Sequence, residues 1–337
     1  MVANLFAKLL GFSRGIFHGP LNYNLTRNLE NIITAYRKTV LIYNPRAGRF
    51  GRSGSALVGR AGEILEKNGH RVTVAPTTGP QTAGALAREH IGRGAELVVV
   101  AGGDGTINEA AEGMIYSSVP LAVLPGGTAN VLATEMKLGF DFERAARRLA
   151  ECRPRRISVG RLVCEGRAAR HFLLMAGVGL DAGIVYRVSG PLKARTGKFA
   201  YWVAGWSLLG RRLPEFHVET AGADRVCSFA LLSRVRNYGG DFEIARRVTL
   251  LEECFEVVLF EGRSTVPYAK YFAGMALRRL EGMKGVTMLR ASNVKLACPG
   301  DRRIHVQIDG EYAGRLPAEI SIVPDALTLM VPPEYGQ

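Results

Sequence analysis

The sequence predicts an α/β domain with a parallel sheet, followed by a mainly antiparallel β domain. Three observations carry that prediction. Apolar strands alternate with helix-period segments over residues 38–136, a glycine-rich turn follows nearly every one of those strands, and beyond residue 155 the pattern changes to short alternating strands. Strand–helix alternation with continuously apolar strands means that helices cover both faces of the sheet, so a ligand belongs beyond the carboxyl ends of the strands.

The first strand is expected at 39–43, ending in the turn Asn44-Pro45-Arg46-Ala47-Gly48. A helix over 56–67 stops at Asn68-Gly69, a strand at 71–74 leads to the Thr77-Thr78 turn, and a helix spans 82–93. The central motif comes next. Residues 97–100 (LVVV) form a buried strand that breaks into Gly102-Gly103-Asp104-Gly105-Thr106 before a helix pattern resumes at Ile107 and Asn108. Glycines at a strand-to-helix turn let the backbone approach an anion, Thr106 can cap the helix, and the helix N-terminus offers free N–H groups to phosphate. Asp104 is the unusual member. A carboxylate in a phosphate loop repels its ligand unless a divalent cation lies between them or a hydroxyl must be oriented, which points to phosphoryl transfer. A strand at 120–123 then meets Pro125-Gly126-Gly127-Thr128-Ala129-Asn130 and a helix through Met136, and a last helix spans 141–151. Four loops thus converge on one crevice, more than turn chemistry alone would place at one edge.

A hinge is expected at Cys152-Arg153-Pro154. Strands follow at 157–163, 171–176, 215–219, 226–233 and 255–260, with helices near 181–188, 198–209 and 268–280. The alternating run 303–308 leads into Asp309-Gly310-Glu311, which places both carboxylates on one side if the strand continues through Gly310. Taken alone, that triplet is more often a hairpin turn.

The formal net charge of +14 in 337 residues favours phosphate-bearing partners: a nucleotide, an anionic membrane or nucleic acid. Five cysteines without CxxC spacing argue for reduced core thiols rather than a disulfide framework or a zinc site. No run reaches the roughly 18 apolar residues of a spanning helix, whereas residues 1–17 read as an interfacial amphipathic segment or a plain packed helix. Aromatic residues beside Lys and Arg at 199–206 and 266–279 suit a lipid headgroup region, although snorkelling side chains over a core helix give the same pattern.

These motifs, in this order, resemble the diacylglycerol kinase catalytic-domain family of lipid kinases, which includes bacterial diacylglycerol kinases, YegS-type lipid kinases, sphingosine kinases and ceramide kinases. The resemblance runs over about residues 38–333 and includes Gly177-Val178-Gly179-Leu180-Asp181 and Asn237-Tyr238-Gly239-Gly240. It implies a nucleotide-binding α/β domain (38–155), a β-sandwich for the lipid (156–320), an active site in the cleft between them, and a C-terminal segment (321–337) returning to the first domain. Residues 1–37 would be an amphipathic extension. It further implies that ATP is held by Asn44, Gly48, Thr77, Gly102, Gly103, Asp104, Gly105, Thr106, Ile107, Asn108 and Thr128. Neutral donors of these types grip phosphate without a Walker lysine, which is lacking. Glu311 is the foremost candidate for the base that takes the lipid hydroxyl proton, Asp309 the alternative, and Asp104 works through Mg²⁺ or a network around the phosphates. The implied partner is a lipid at an anionic membrane surface, on the inner face of the cell membrane, with no nucleic acid; a homodimer stays open.

Departures from the family pattern are Ala47 in place of a serine, Val131 in place of an aspartate, and residues 249–254. There, relatives commonly carry an Asp-Gly pair whose carboxylate binds a structural Mg²⁺. Glu252, with the Thr249 and Cys254 carbonyls, could replace that site, or the site could be lost. NAD kinases share the GGDGT loop but not the PGGTAN and DGE segments. A non-catalytic lipid- or nucleotide-binding protein would have no need of Asp104, Asn108, Glu109 and both C-terminal carboxylates.

Overall fold

The computed structural model describes residues 36–48, 50, 54–180, 182, 212–238, 242–264, 266–300 and 303–337. The amphipathic extension, the helices expected at 181–188 and 198–209, and Asp181, Gly239 and Gly240 of the motifs lie outside these residues.

Strand β1 (Lys38–Tyr43) is followed by α1 (Gly54–Lys67), β2 (Arg71–Pro76), α2 (Ala83–Gly92), β3 (Leu97–Gly102), α3 (Asp104–Glu112), β4 (Leu121–Pro125), α4 (Val131–Glu135) and α5 (Phe142–Arg148). The four strands pair in parallel in the order β2-β1-β3-β4. Every residue of β3 and β4 is buried, as helix-covered parallel strands require. Asp141 caps α5 by accepting the N–H of Arg144 at 2.9 Å.

No hinge follows α5. Arg153 opens β5 (Arg153–Cys164), which pairs antiparallel along most of its length with β18 (Ala318–Val331), so the two-stranded ribbon spans both halves of the molecule. The far end of β18 lies parallel to β4, with Leu329 opposite Leu121, so the chain's last strand extends the parallel sheet β2-β1-β3-β4. Arg153 pairs with Val331 in this ribbon, which is why a Pro-containing segment that reads as a linker forms strand instead.

The remaining strands are β6 (Arg170–Phe172), β7 (Met175–Gly179), β8 (Phe216–Thr220), β9 (Ala223–Cys227), β10 (Phe229–Ser233), β11 (Asn237–Tyr238), β12 (Phe242–Glu243), β13 (Phe255–Phe260), β14 (Val286–Ala291), β15 (Asn293–Ala297), β16 (His305–Ile308) and β17 (Glu311–Arg315), with helix α6 at Val266–Ala276. An antiparallel sheet, β14-β13-β10-β7-β16-β17, faces the continuation of the first sheet through β15, β8 and β9. Phe172, Phe216, Phe255, Val257, Leu232 and Val306 fill the space between them. The architecture is therefore a mixed-sheet α/β domain joined to an antiparallel β-sandwich. Two expected strands are each broken in two. The run 171–176 breaks at Leu173-Leu174 and the run 226–233 at Ser228, in the first case because the backbone N–H groups are diverted to the Asp309 side chain at the end of the neighbouring strand.

Candidate active site

Parallel pairing carries the loops after β1, β2, β3 and β4 to one edge. Beyond the strands the ladder continues: Asn44 N–H donates to Ala101 O at 3.1 Å, Thr77 N–H to Tyr43 O at 2.8 Å and Gly126 N–H to Gly102 O at 2.8 Å. Side chains then lock the loops together. Asn44 accepts the Arg46 N–H at 2.9 Å and donates from Nδ2 to Thr106 Oγ1 at 3.1 Å. Gly48 faces Thr128, whose Oγ1 lies 3.1 Å from where a Cβ would stand on residue 48. Gly103 and Gly127 meet backbone to backbone, and a Cβ on Gly127 would fall 2.5 Å from the Gly103 Cα. Only glycine allows that approach.

Helix α3 begins earlier than its apolar period indicates. Gly103 is its N-cap and Asp104 its first residue, so Thr106 lies inside the first turn, buried, and accepts from Asn44 rather than capping. Ile107 belongs to the core, and Asn108 donates to His171 O at 3.4 Å, tying α3 to β6.

Asp104 points sideways along the loops. Its Oδ2 accepts the Val131 N–H at 3.0 Å and its Oδ1 the Leu132 N–H at 3.1 Å, the opening amides of α4. Burial pushes its carboxyl above the usual carboxylate range, and these bonds pull it back down. Asp104 thereby fixes α4, and with it the 125–130 loop. Asn130, buried with φ 48°, braces that loop from within by bonding both polar groups of the Gly127 backbone at 2.7 and 2.8 Å.

Across the cleft, the strand does not continue through Gly310. Asp309 and Gly310 form the two-residue turn of the β16–β17 hairpin, with φ 48° and 79°, the positive pair that a type I′ turn needs and that Asp-Gly supplies. The two carboxylates therefore part. Asp309 turns inward and accepts the N–H groups of Leu173 (2.9 Å), Leu174 (3.0 Å) and Met175 (2.9 Å), which breaks the β6–β7 strand. Glu311 turns outward, half-exposed, with Oε2 3.3 Å from Arg170 Nη2 and Oε1 3.2 Å from the position of a Cβ on Gly105. Glu311 thus reaches the phosphate loop, and Asp309 braces the floor beneath it.

Burial pushes Asp309 up to about 7 against the pull of its three amide donors, with the Asp104 charge adding to the rise. Its free value is 3.8, so between about pH 4 and 7 the unfolded chain has released this proton while the folded chain keeps it. The unfolded state then binds fewer protons, and stability falls as pH rises through that window and levels off above it. Chemical denaturation of wild type and Asp309→Asn should show their stability difference shrinking in that range, by up to about 4 kcal/mol. A difference independent of pH would mean that the three amides hold the carboxylate ionised throughout.

Two of the implied metal ligands in residues 249–254 are already engaged. Thr249 O accepts the Glu252 N–H at 3.1 Å, and the Glu252 carboxylate pairs with Arg290, which also donates from Nε to Cys254 Sγ at 3.2 Å. Among the described residues no group of His, Cys, Asp and Glu side chains could hold a metal.

Sequence reasoning missed two groups at this cleft. Arg170 brings a positive charge beside Glu311, and Glu112 of α3 grips both the backbone N–H and Nδ1 of His171 at 2.8 and 3.0 Å. Nothing local distinguishes Arg170 among 44 basic residues; only the pairing of β6 with β5 puts it there.

Glycine-rich loops at the end of a parallel sheet, facing a sandwich that contributes a carboxylate, define a two-domain phosphotransferase. Residues 38–162 match the diacylglycerol kinase catalytic domain, and residues 175–331 match the YegS C-terminal NAD kinase beta sandwich-like domain. The chain belongs to the diacylglycerol kinase catalytic-domain family of lipid kinases. It is 26% identical over 302 residues to a diacylglycerol kinase of Mycobacterium tuberculosis, covering 88% of this chain and 95% of that one. To a diacylglycerol kinase of Bacillus subtilis it is 26% identical over 312 residues, covering 89% and 98%. A diacylglycerol kinase crystal structure from Bacillus anthracis shares the fold, with a TM-score of 0.71 at 20% identity over 89% of this chain and 99% of that one.

Proposed function

We propose that this kinase transfers the γ-phosphoryl group of ATP to the hydroxyl of a neutral lipid, diacylglycerol being the first choice and a sphingoid or ceramide-type lipid the second. The observation that carries this reading is Glu311 Oε1 standing over Gly105 of the phosphate loop, across the cleft between the two halves.

Asn44, Gly48, Thr77, Thr128 and the turn at 102–106 surround the space in which the triphosphate would lie. Backbone N–H groups at the start of α3 donate to phosphate oxygens without the desolvation that an added cation would suffer. Mg²⁺, when bound with ATP, neutralises charge on the β- and γ-phosphates. Both oxygens of Asp104 and of Asp309 already accept backbone N–H groups, so of these three carboxylates Glu311, with Oε1 turned toward Gly105, is the one placed to reach a ligand or a proton. An alcohol with a pKa far above neutrality cannot attack unaided, and Glu311 takes its proton as the oxygen bonds to phosphorus. Arg170, 3.3 Å from Glu311 Oε2, offsets charge on the transferring group and limits repulsion between Glu311 and the phosphates.

Among the described residues no helix is long and apolar enough to cross a membrane. The +14 charge supports peripheral attachment to the anionic inner face of the cell membrane, at about 1 kcal/mol per basic residue near the surface. Radiolabelled ATP offered with diacylglycerol, sphingosine, ceramide, undecaprenol and NAD tests the proposal. Label should enter the lipid phase with diacylglycerol, and co-sedimentation with anionic vesicles should be reversed by salt. Label in NAD alone would make the chain an NAD kinase, and binding insensitive to salt or lipid charge would remove the electrostatic attachment.

A further inference from the structure

Arg234 is among the most deeply buried side chains of the molecule. It follows β10 in the core with no exposed surface, and among the described residues no carboxylate meets its guanidinium. Instead Nη2 donates to Leu250 O at 2.8 Å and Nη1 to Glu252 O at 3.4 Å. Nε has no partner. A buried cation left with neutral acceptors is expensive unless the carbonyl dipoles around it need a positive charge, and here they belong to the segment where the family resemblance implies a structural Mg²⁺.

Several other atoms of that segment are already committed. Tyr335 OH accepts the Leu250 N–H at 3.0 Å, Thr249 O accepts the Glu252 N–H, and Glu252's carboxylate is drawn outward to Arg290. On its other side Arg234 is tied to the cleft: its backbone N–H donates to Leu174 O at 2.8 Å, and Leu174 N–H donates to Asp309.

We propose that the Arg234 guanidinium is the internal cation of residues 249–254, holding the Leu250 and Glu252 carbonyls from the core side, so that the packing of this loop against the Asp309 brace is independent of metal. A guanidinium spreads its charge over a rigid donor fork and stays protonated, which suits two carbonyls held at fixed places. Any divalent ion this protein uses then arrives with the nucleotide.

Purified wild-type protein, stripped with a chelator and free of nucleotide, tests this directly. The melting temperature is expected to be the same in chelator and in Mg²⁺, and Mn²⁺ titration followed by electron paramagnetic resonance should find no tight stoichiometric site. A fall in melting temperature on chelation, or one tightly bound Mn²⁺ per chain that Glu252→Gln abolishes, would overturn the proposal. Arg234→Met keeps much of the volume but strands both carbonyls, and it should melt several degrees lower, with Arg234→Lys in between. Equal stability of wild type and Arg234→Met would also overturn it, because the carbonyls would then need no cation.

Discussion

Glu311→Gln is expected to lower kcat about 10²–10⁴-fold while ATP affinity measured by calorimetry stays nearly unchanged. Glutamine preserves the shape and the contact with Arg170 but cannot take a proton, so the loss falls on the chemical step. Asp309→Asn should lower kcat on a similar scale by a different route. Its new amide group would face one of three N–H donors that now meet carboxylate oxygens at 2.9–3.0 Å, and the floor under Glu311 would shift. The two therefore separate by their side effects: Asp309→Asn should change stability and its pH dependence, and Glu311→Gln should change neither. Because Glu311 leaves the turn that Asp309 begins, the double variant should lose far less than the sum of the single losses. Additive losses would show that the two carboxylates act independently, and a collapse of ATP affinity in Glu311→Gln would move that residue from proton transfer to nucleotide binding.

The contrast between these two carboxylates marks the limit of what the sequence makes legible. Alternation and β-branched runs placed β1–β4 within about two residues of their ends, because in a parallel sheet covered by helices each strand's burial depends on its own composition. Convergence of the loops at one edge followed from topology alone. Legibility ends where a residue's role depends on a partner distant in sequence. Glu311 and Asp309 read as first and second candidates for one task on the same side of a strand, and only the turn between them, with Leu173–Met175 waiting more than 130 residues earlier in the chain, gives them separate tasks. The Cys152-Arg153-Pro154 segment read as a hinge because its partner strand, β18, lies at the other end of the chain. Arg234 carried no signal at all: a lone arginine after an apolar strand reads as surface, and its burial is set by carbonyls 16 and 18 residues away.

Asp104→Asn is expected to reduce kcat/KM for ATP about 100-fold or more, chiefly through nucleotide affinity, while the protein stays folded. The substitution keeps one oxygen and turns an amide donor toward the N–H of Val131 or Leu132, costing on the order of 2–4 kcal/mol at a buried site. The strain is relieved by moving α4, which has only five residues and is held at its N-terminus by this side chain. Gly127 and Thr128 move with it, and they form the wall of the proposed phosphate site opposite Gly48 and Gly103. A second consequence lies across the cleft. The Asp104 charge contributes to the raised pKa of Asp309, so removing it should bring the Asp309 carboxyl down and narrow the pH window in which stability declines. Calorimetric ATP binding together with denaturation at several pH values measures both effects in one variant. Wild-type ATP affinity in Asp104→Asn would show that α4 keeps its place without the carboxylate, and an unchanged pH window would show that the two buried aspartates do not sense each other.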